Sequence, residues 1–139
     1  MSRVAFTIDN VHVDPPGLVI ENRAQACTNI DAVVTITIDD APVFREDINF
    51  VEFMWCLQSW RADGYVGDFS FDSSDFEETG LVRLRRHGDG YVFASCWLDA
   101  PHDAVLSRAT VEGFVDDFVT DAARAVSRQL NIDLHALKP

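Results

Sequence analysis

The sequence predicts an α+β domain, an antiparallel β-sheet with two helices packed on one face. Three observations carry that expectation. The first half alternates with period two in short β-branched runs. A helical period sets in at residue 49 and returns after residue 107, with a hairpin signal between them. The order of strands and helices is too irregular for repeated βαβ units, and no Gly-rich phosphate loop is present, which argues against a doubly wound nucleotide fold.

Residues 3–8 and 11–13 read as short strands, parted by the turn-forming Asp9-Asn10 pair. Asp14-Pro15-Pro16-Gly17 is a turn, because proline fixes φ and glycine accepts positive φ. Residues 18–21 are a further strand candidate, and the polar stretch 22–31 reads as a loop. Residues 32–38 form the clearest strand of this half, with every residue but Ala32 β-branched and Val34, Ile36 and Ile38 sharing a face. Asp39-Asp40-Ala41-Pro42 turns the chain, and residues 43–45 return antiparallel.

Asn49 with Glu52 three residues on matches a capping box, and Ile48 with Phe53 fits a hydrophobic staple. Phe50, Phe53, Met54, Leu57 and Trp60 then recur at helical spacing until Asp63-Gly64. Residues 65–71 alternate as a strand, with Gly67 marking a bulge or close backbone approach, and 72–79 form an acidic loop. Residues 81–86 and 91–98 flank His87-Gly88-Asp89-Gly90, a hairpin that places Val82, Leu84, Tyr91, Phe93 and Trp97 on one face. Ser107 or Thr110 caps the closing helix, buried through Val111, Phe114, Val115, Phe118, Ala122, Ala125 and Val126 and ended by a left-handed Asn131.

All 139 residues fit one domain, and the apolar content of 47% with ten Phe and three Trp is enough to fold without staples. The charge is unusual. Twenty-three acidic residues face eleven basic ones, for a net −12, and Lys138 is the single lysine. Such a surface repels phosphate backbones, argues against nucleic-acid binding and attracts basic partners. Arg83, Arg85 and Arg86 are the only local basic cluster, placed to pair with the acidic loop or to stack on Tyr91 or Phe93. No apolar run approaches the length of a membrane span, and no secretory signal opens the chain, so the expectation is a cytoplasmic protein.

Chemistry is hard to find in this sequence. Cys27, Cys56 and Cys96 make an odd count without a C-x-x-C pair, and Cys56 and Cys96 read as buried reduced thiols. His12, His87, His102 and His135 form no H-x-x-x-H pair and read as loop residues. The acidic run lacks EF-hand spacing, and Trp55, Trp60 and Trp97 read as core. No catalytic residue, metal ligand or cofactor is therefore assigned.

The stretch from Phe53 to Leu134 resembles a class of small bacterial domains, through a helix ending in Trp60, the segment DFSFDSSDFEETGLVRLRRHGDGYVFAS and an amphipathic helix ending LNIDL. In general character the chain is also similar to immunity proteins of bacterial toxin systems, which are small, acidic and devoid of catalytic motifs. That resemblance implies a non-enzymatic interaction protein that neutralises a basic partner such as a toxin nuclease domain. Its contacts would be Asp68, Asp72, Asp75, Glu77 and Glu78, with Asp116, Asp117 and Asp121 as a second patch. The alternatives are a small-ligand-binding domain or enzyme with a pocket between sheet and helices, and a structural homodimer formed through a sheet edge or helix face.

Overall fold

The computed structural model describes residues 2–139 as three helices and two three-stranded antiparallel sheets. The fold is α+β. Its strands divide between two sheets that share the helices as a common filling.

The first sheet is a meander of β1 (Val4–Val13), β2 (Ile30–Ile38) and β3 (Ala41–Ile48). In β2 every second residue from Ile30 to Ile38 is buried, so one face is committed to the core. Asp39 and Asp40 turn β2 into β3, both with positive φ (51° and 67°), as the twist of a two-residue hairpin requires. Asp9-Asn10 does not break β1 into two strands. It forms a β-bulge, with Asn10 at φ 56°, after which pairing resumes at His12 opposite Asp31. The bulge reverses the side-chain phase of β1. Val4, Phe6 and Ile8 pack against the core, whereas His12 pairs with Asp31, which lies on the outer face.

Residues 18–21 are not a strand, and the stretch expected as a loop holds the short helix α1 (Arg23–Asn29). Asn22 caps α1 by accepting a hydrogen bond from the Gln25 N–H at 2.9 Å. Asp14 and Asn29 bond reciprocally, backbone to backbone at 2.9 Å and Asn29 Nδ2 to the Asp14 carbonyl at 2.8 Å.

Helix α2 (Phe50–Ala62) buries Phe50, Val51, Phe53, Met54, Leu57 and Trp60. The expected capping box does not form. Asn49 is fully buried at the cap position, but its side chain is drawn outward: Nδ2 donates to the Cys27 carbonyl at 3.1 Å and Oδ1 accepts from Ser73 Oγ at 2.6 Å. Glu52 instead accepts from the Ser74 N–H and Oγ, both at 2.9 Å. Both residues thus tie the helix start to the acidic loop.

The second sheet is β4 (Phe69–Phe71), β5 (Val82–His87) and β6 (Gly90–Ala94). The strand expected from residue 65 starts only at Phe69, because Tyr65 lies at φ 59° and bonds back to the Trp60 carbonyl at 2.9 Å. The hairpin forms with a two-residue Gly88-Asp89 turn and buries Val82, Leu84, Tyr91 and Phe93. Arg86 lies over the Tyr91 ring at 6.0 Å. Strand β6 ends at Ala94. Cys96 is therefore exposed, and Trp97, 39% exposed, stacks on Phe44 at 5.9 Å outside the hairpin's inner face, while Cys56 on α2 is half-buried.

Helix α3 (Arg108–Leu130) is capped by Ser107, whose Oγ accepts from the Thr110 N–H at 3.1 Å, and ends at Asn131 with φ 55°. Its stripe is buried except for the half-buried Ala125. It lies against β1 and α2 and touches β6, while α2 lies against β2 and β4. Phe53 and Phe118 meet at the centre with ring centroids 4.8 Å apart.

Candidate functional site

The acidic residues singled out from the sequence have different occupations. Asp68 accepts from the Arg86 N–H at 2.8 Å, and Asp72 accepts from Ser70 Oγ at 3.0 Å and the Gly80 N–H at 2.6 Å. These two carboxylates hold the ends of the acidic loop and the β4–β5 pairing. On α3, Asp116 pairs with Arg61 at 3.0 Å and Asp121 with Arg124 at 3.6 Å, so two of the patch's three carboxylates are paired, leaving Asp117 exposed. Glu77 and Glu78 are exposed and make no ion pair among the described residues.

Asp75 joins a group that the sequence did not point to. It lines an open cleft of about 450 Å³ with Asp14, Asp31 and Asp47. Among the described residues no Lys or Arg lines the cleft, and the arginine ion pairs lie elsewhere, at Asp40, Asp116, Glu112 and Asp121. Each wall follows from local structure. Asp14 is held by its reciprocal bonds to Asn29. Asp31 and Asp47 stand on neighbouring strands, since Asp47 pairs with Val33, two residues from Asp31 on the same outer face. Asp75 is positioned by its own N–H, which donates to Ser73 Oγ at 3.1 Å, and through Ser73 by the buried Asn49.

His12 completes the group. Its Nε2 lies 3.9 Å from Asp47 Oδ2, and its Nδ1 lies 2.7 Å from the Asn10 carbonyl. A carbonyl only accepts, so Nδ1 carries the proton in that bond. One ligand atom each of His12, Asp31 and Asp47 lies within 4.8 Å of the other two. The remaining histidines are dispersed, with His102 Nδ1 accepting from the Ala104 N–H at 3.1 Å and His87 and His135 exposed.

Burial raises the Asp31 pKa to about 6, the charges of Asp75 and Asp47 and, least, of Asp14 add to the rise, and His12 opposes it. Burial, Glu52 and Asp14 also raise Asp75. The folded protein therefore holds a proton on Asp31 that the unfolded chain releases near pH 4. The ionised Asp31 costs stability above pH 6, and that cost disappears below about pH 4. In a chelating buffer at pH 7.5, Asp31→Asn is expected to stabilise the protein by about 1 kcal/mol, a value discounted for solvent screening. The gain should fade as pH drops from 6 to 4, which paired thermal melts will check. A variant less stable than the parent at pH 7.5 would contradict this electrostatic account.

Reading by local spacing missed His12, Asp14, Asp31 and Asp47, because they are brought together by strand register and a bulge. The only trace in the sequence is an aspartate at either end of β-branched runs and the Asp9-Asn10 pair itself.

Among the described residues, no helix is long and apolar enough to cross a membrane. No curated protein and no solved structure matches the chain. A family profile described as a domain of unknown function matches residues 4–128, which takes in both sheets, α1, α2, most of α3 and the entire cleft. The chain thus belongs to the DUF7878 family.

Proposed function

We propose that the protein is a non-enzymatic interaction domain that recognises a basic protein partner through its acidic cleft and the adjoining loop. One observation carries this reading: Asp14, Asp31, Asp47 and Asp75 converge on a cleft that no arginine or lysine among the described residues lines. Carboxylates kept close at a cost in stability suit a cationic side chain supplied from outside. Glu77 and Glu78 extend the same charge outward, and Asp117 adds to it on α3. The void between β1, β5, β6 and α3 is apolar and about 10 Å³, which argues against a ligand chamber at that place between sheet and helices. A basic toxin domain, neutralised by this chain in the cytoplasm, is the sharpest form of such a partner.

Complementary charge accelerates encounter, so association should slow steeply as salt rises. The test is affinity capture with the whole chain, identification of the retained protein, and binding kinetics with the purified pair. Asp75→Arg with Glu77→Arg is expected to slow association about tenfold or more, whereas Asp68→Asn should change it little. A retained partner that is not basic, or binding indifferent to both salt and charge reversal, would overturn the proposal.

A further inference from the structure

We propose that His12, Asp31 and Asp47 form a binding site for a divalent first-row transition-metal ion such as Zn²⁺ or Mn²⁺. The three side chains come one from each strand of the first sheet, β1, β2 and β3, and meet on its outer face. That meeting depends on the bulge at Asn10. Without the extra residue, the phase that turns Val4, Phe6 and Ile8 inward would turn His12 inward as well. The same Asn10 offers its carbonyl to Nδ1–H of His12, which leaves the Nε2 lone pair facing Asp47. A histidine ligand is ordinarily held in this way, by a hydrogen bond from its second nitrogen to a carbonyl or carboxylate.

A separate observation points to a missing partner. Asp31 Oδ1 has essentially no accessible surface, and no donor among the described residues reaches it. A buried carboxylate oxygen without a hydrogen bond is costly, and an ion is one of the few things that remove that cost. The neighbouring carboxylates Asp14 and Asp75, which line the same cleft, have the sign that a cation requires. Bonds of about 2.0–2.2 Å to nitrogen and oxygen place adjacent ligands about 3–3.5 Å apart. The 3.9 Å from His12 Nε2 to Asp47 Oδ2 therefore needs to close by less than 1 Å, and Asp47 is an exposed side chain. One imidazole with two carboxylates favours Zn²⁺ or Mn²⁺ over Ca²⁺ and Mg²⁺, which prefer oxygen alone. The open cleft lets water or a further carboxylate, Asp14 or Asp75, fill the remaining positions.

This inference stands beyond the partner reading and needs no partner for its test. A dication among four carboxylates leaves the cleft net negative, so each reading survives the failure of the other.

Calorimetric titration of the chelator-stripped full chain with Zn²⁺ and with Mn²⁺ at pH 7.5 is expected to show one site. His12→Gln and Asp47→Asn should each weaken it about tenfold or more. Cys96→Ser and Asp117→Asn should leave it unchanged, and Mg²⁺ should bind more weakly than Mn²⁺. In the unaltered protein, Mn²⁺ should broaden the amide resonances of residues 12, 31 and 47 first. Three results would overturn the proposal: no binding of either ion, binding that depends on Cys96 and not on His12, or broadening centred on residues 77 and 78.

Discussion

Phe53→Ala is expected to lower the stability of the protein by about 3–5 kcal/mol and to weaken both sheets in one transition. Phe53 has no accessible surface, and its ring lies 5.0 Å from Phe71, 6.0 Å from Phe69 and 4.8 Å from Phe118. Phe118 in turn meets Phe6 at 5.0 Å, so a single chain of rings joins β4 through α2 and α3 to β1. Truncation opens a void in the ring chain that links the two sheets through the helices, and close-packed neighbours collapse only partly into it. Urea unfolding followed by circular dichroism and by tryptophan fluorescence will check this. The two probes should coincide, with a lower midpoint and an unchanged slope. Val66→Ala, at a residue 72% exposed, should stay within about 0.5 kcal/mol of the parent. Separate transitions for the two probes would show that the sheets fold independently and that the ring chain does not couple them.

Asn49→Ala should cost about 2 kcal/mol and, unlike the core truncation, should loosen one region in particular. Its side chain satisfies the Cys27 carbonyl with one end and Ser73 Oγ with the other, entirely out of water. Removing it strands both partners, and a stranded buried polar group costs more than the lost bond alone. Ser73 is also the anchor that receives the Asp75 N–H. Amide exchange in residues 73–76 should therefore accelerate beyond what the global stability loss explains. A double variant with Ser73→Ala should recover part of the loss, because it removes one stranded hydroxyl. If exchange in residues 73–76 rises no more than in β2, Asn49 acts only on global stability and does not place Asp75.

The elements legible in the sequence were those whose local chemistry and burial agree. Residues 32–38, the Gly88-Asp89 hairpin and the Ser107-to-Asn131 helix combine a clear period with the right turn or cap residue. Helix α1 was hidden because it buries only Ala26, so it carries no apolar stripe, and its one signal is the capping Asn22. Asn49 and Glu52 have the residue types of a capping box, but tertiary partners on the acidic loop outcompeted the local ones. Tyr65 fits the alternation of a strand, yet the chain uses it in a left-handed turn that closes α2. The net charge was readable and its focus was not. Of eight acidic residues singled out, only Asp75 lines the cleft, because Asp14, Asp31 and Asp47 are separated by α1 and by a strand turn.

The seat of α3 on β1 has a consequence for biosynthesis. Residues 4–48 form a meander from neighbouring segments and are ready early, but the inward side of its first strand is covered by a helix that begins at Arg108. A ribosome-bound chain shorter than that displays Phe6 with neither Phe114 nor Phe118 beside it. Completion of the domain thus waits for the synthesis of Arg108–Leu130, and until then the emerging polypeptide presents a greasy strip suited to a chaperone.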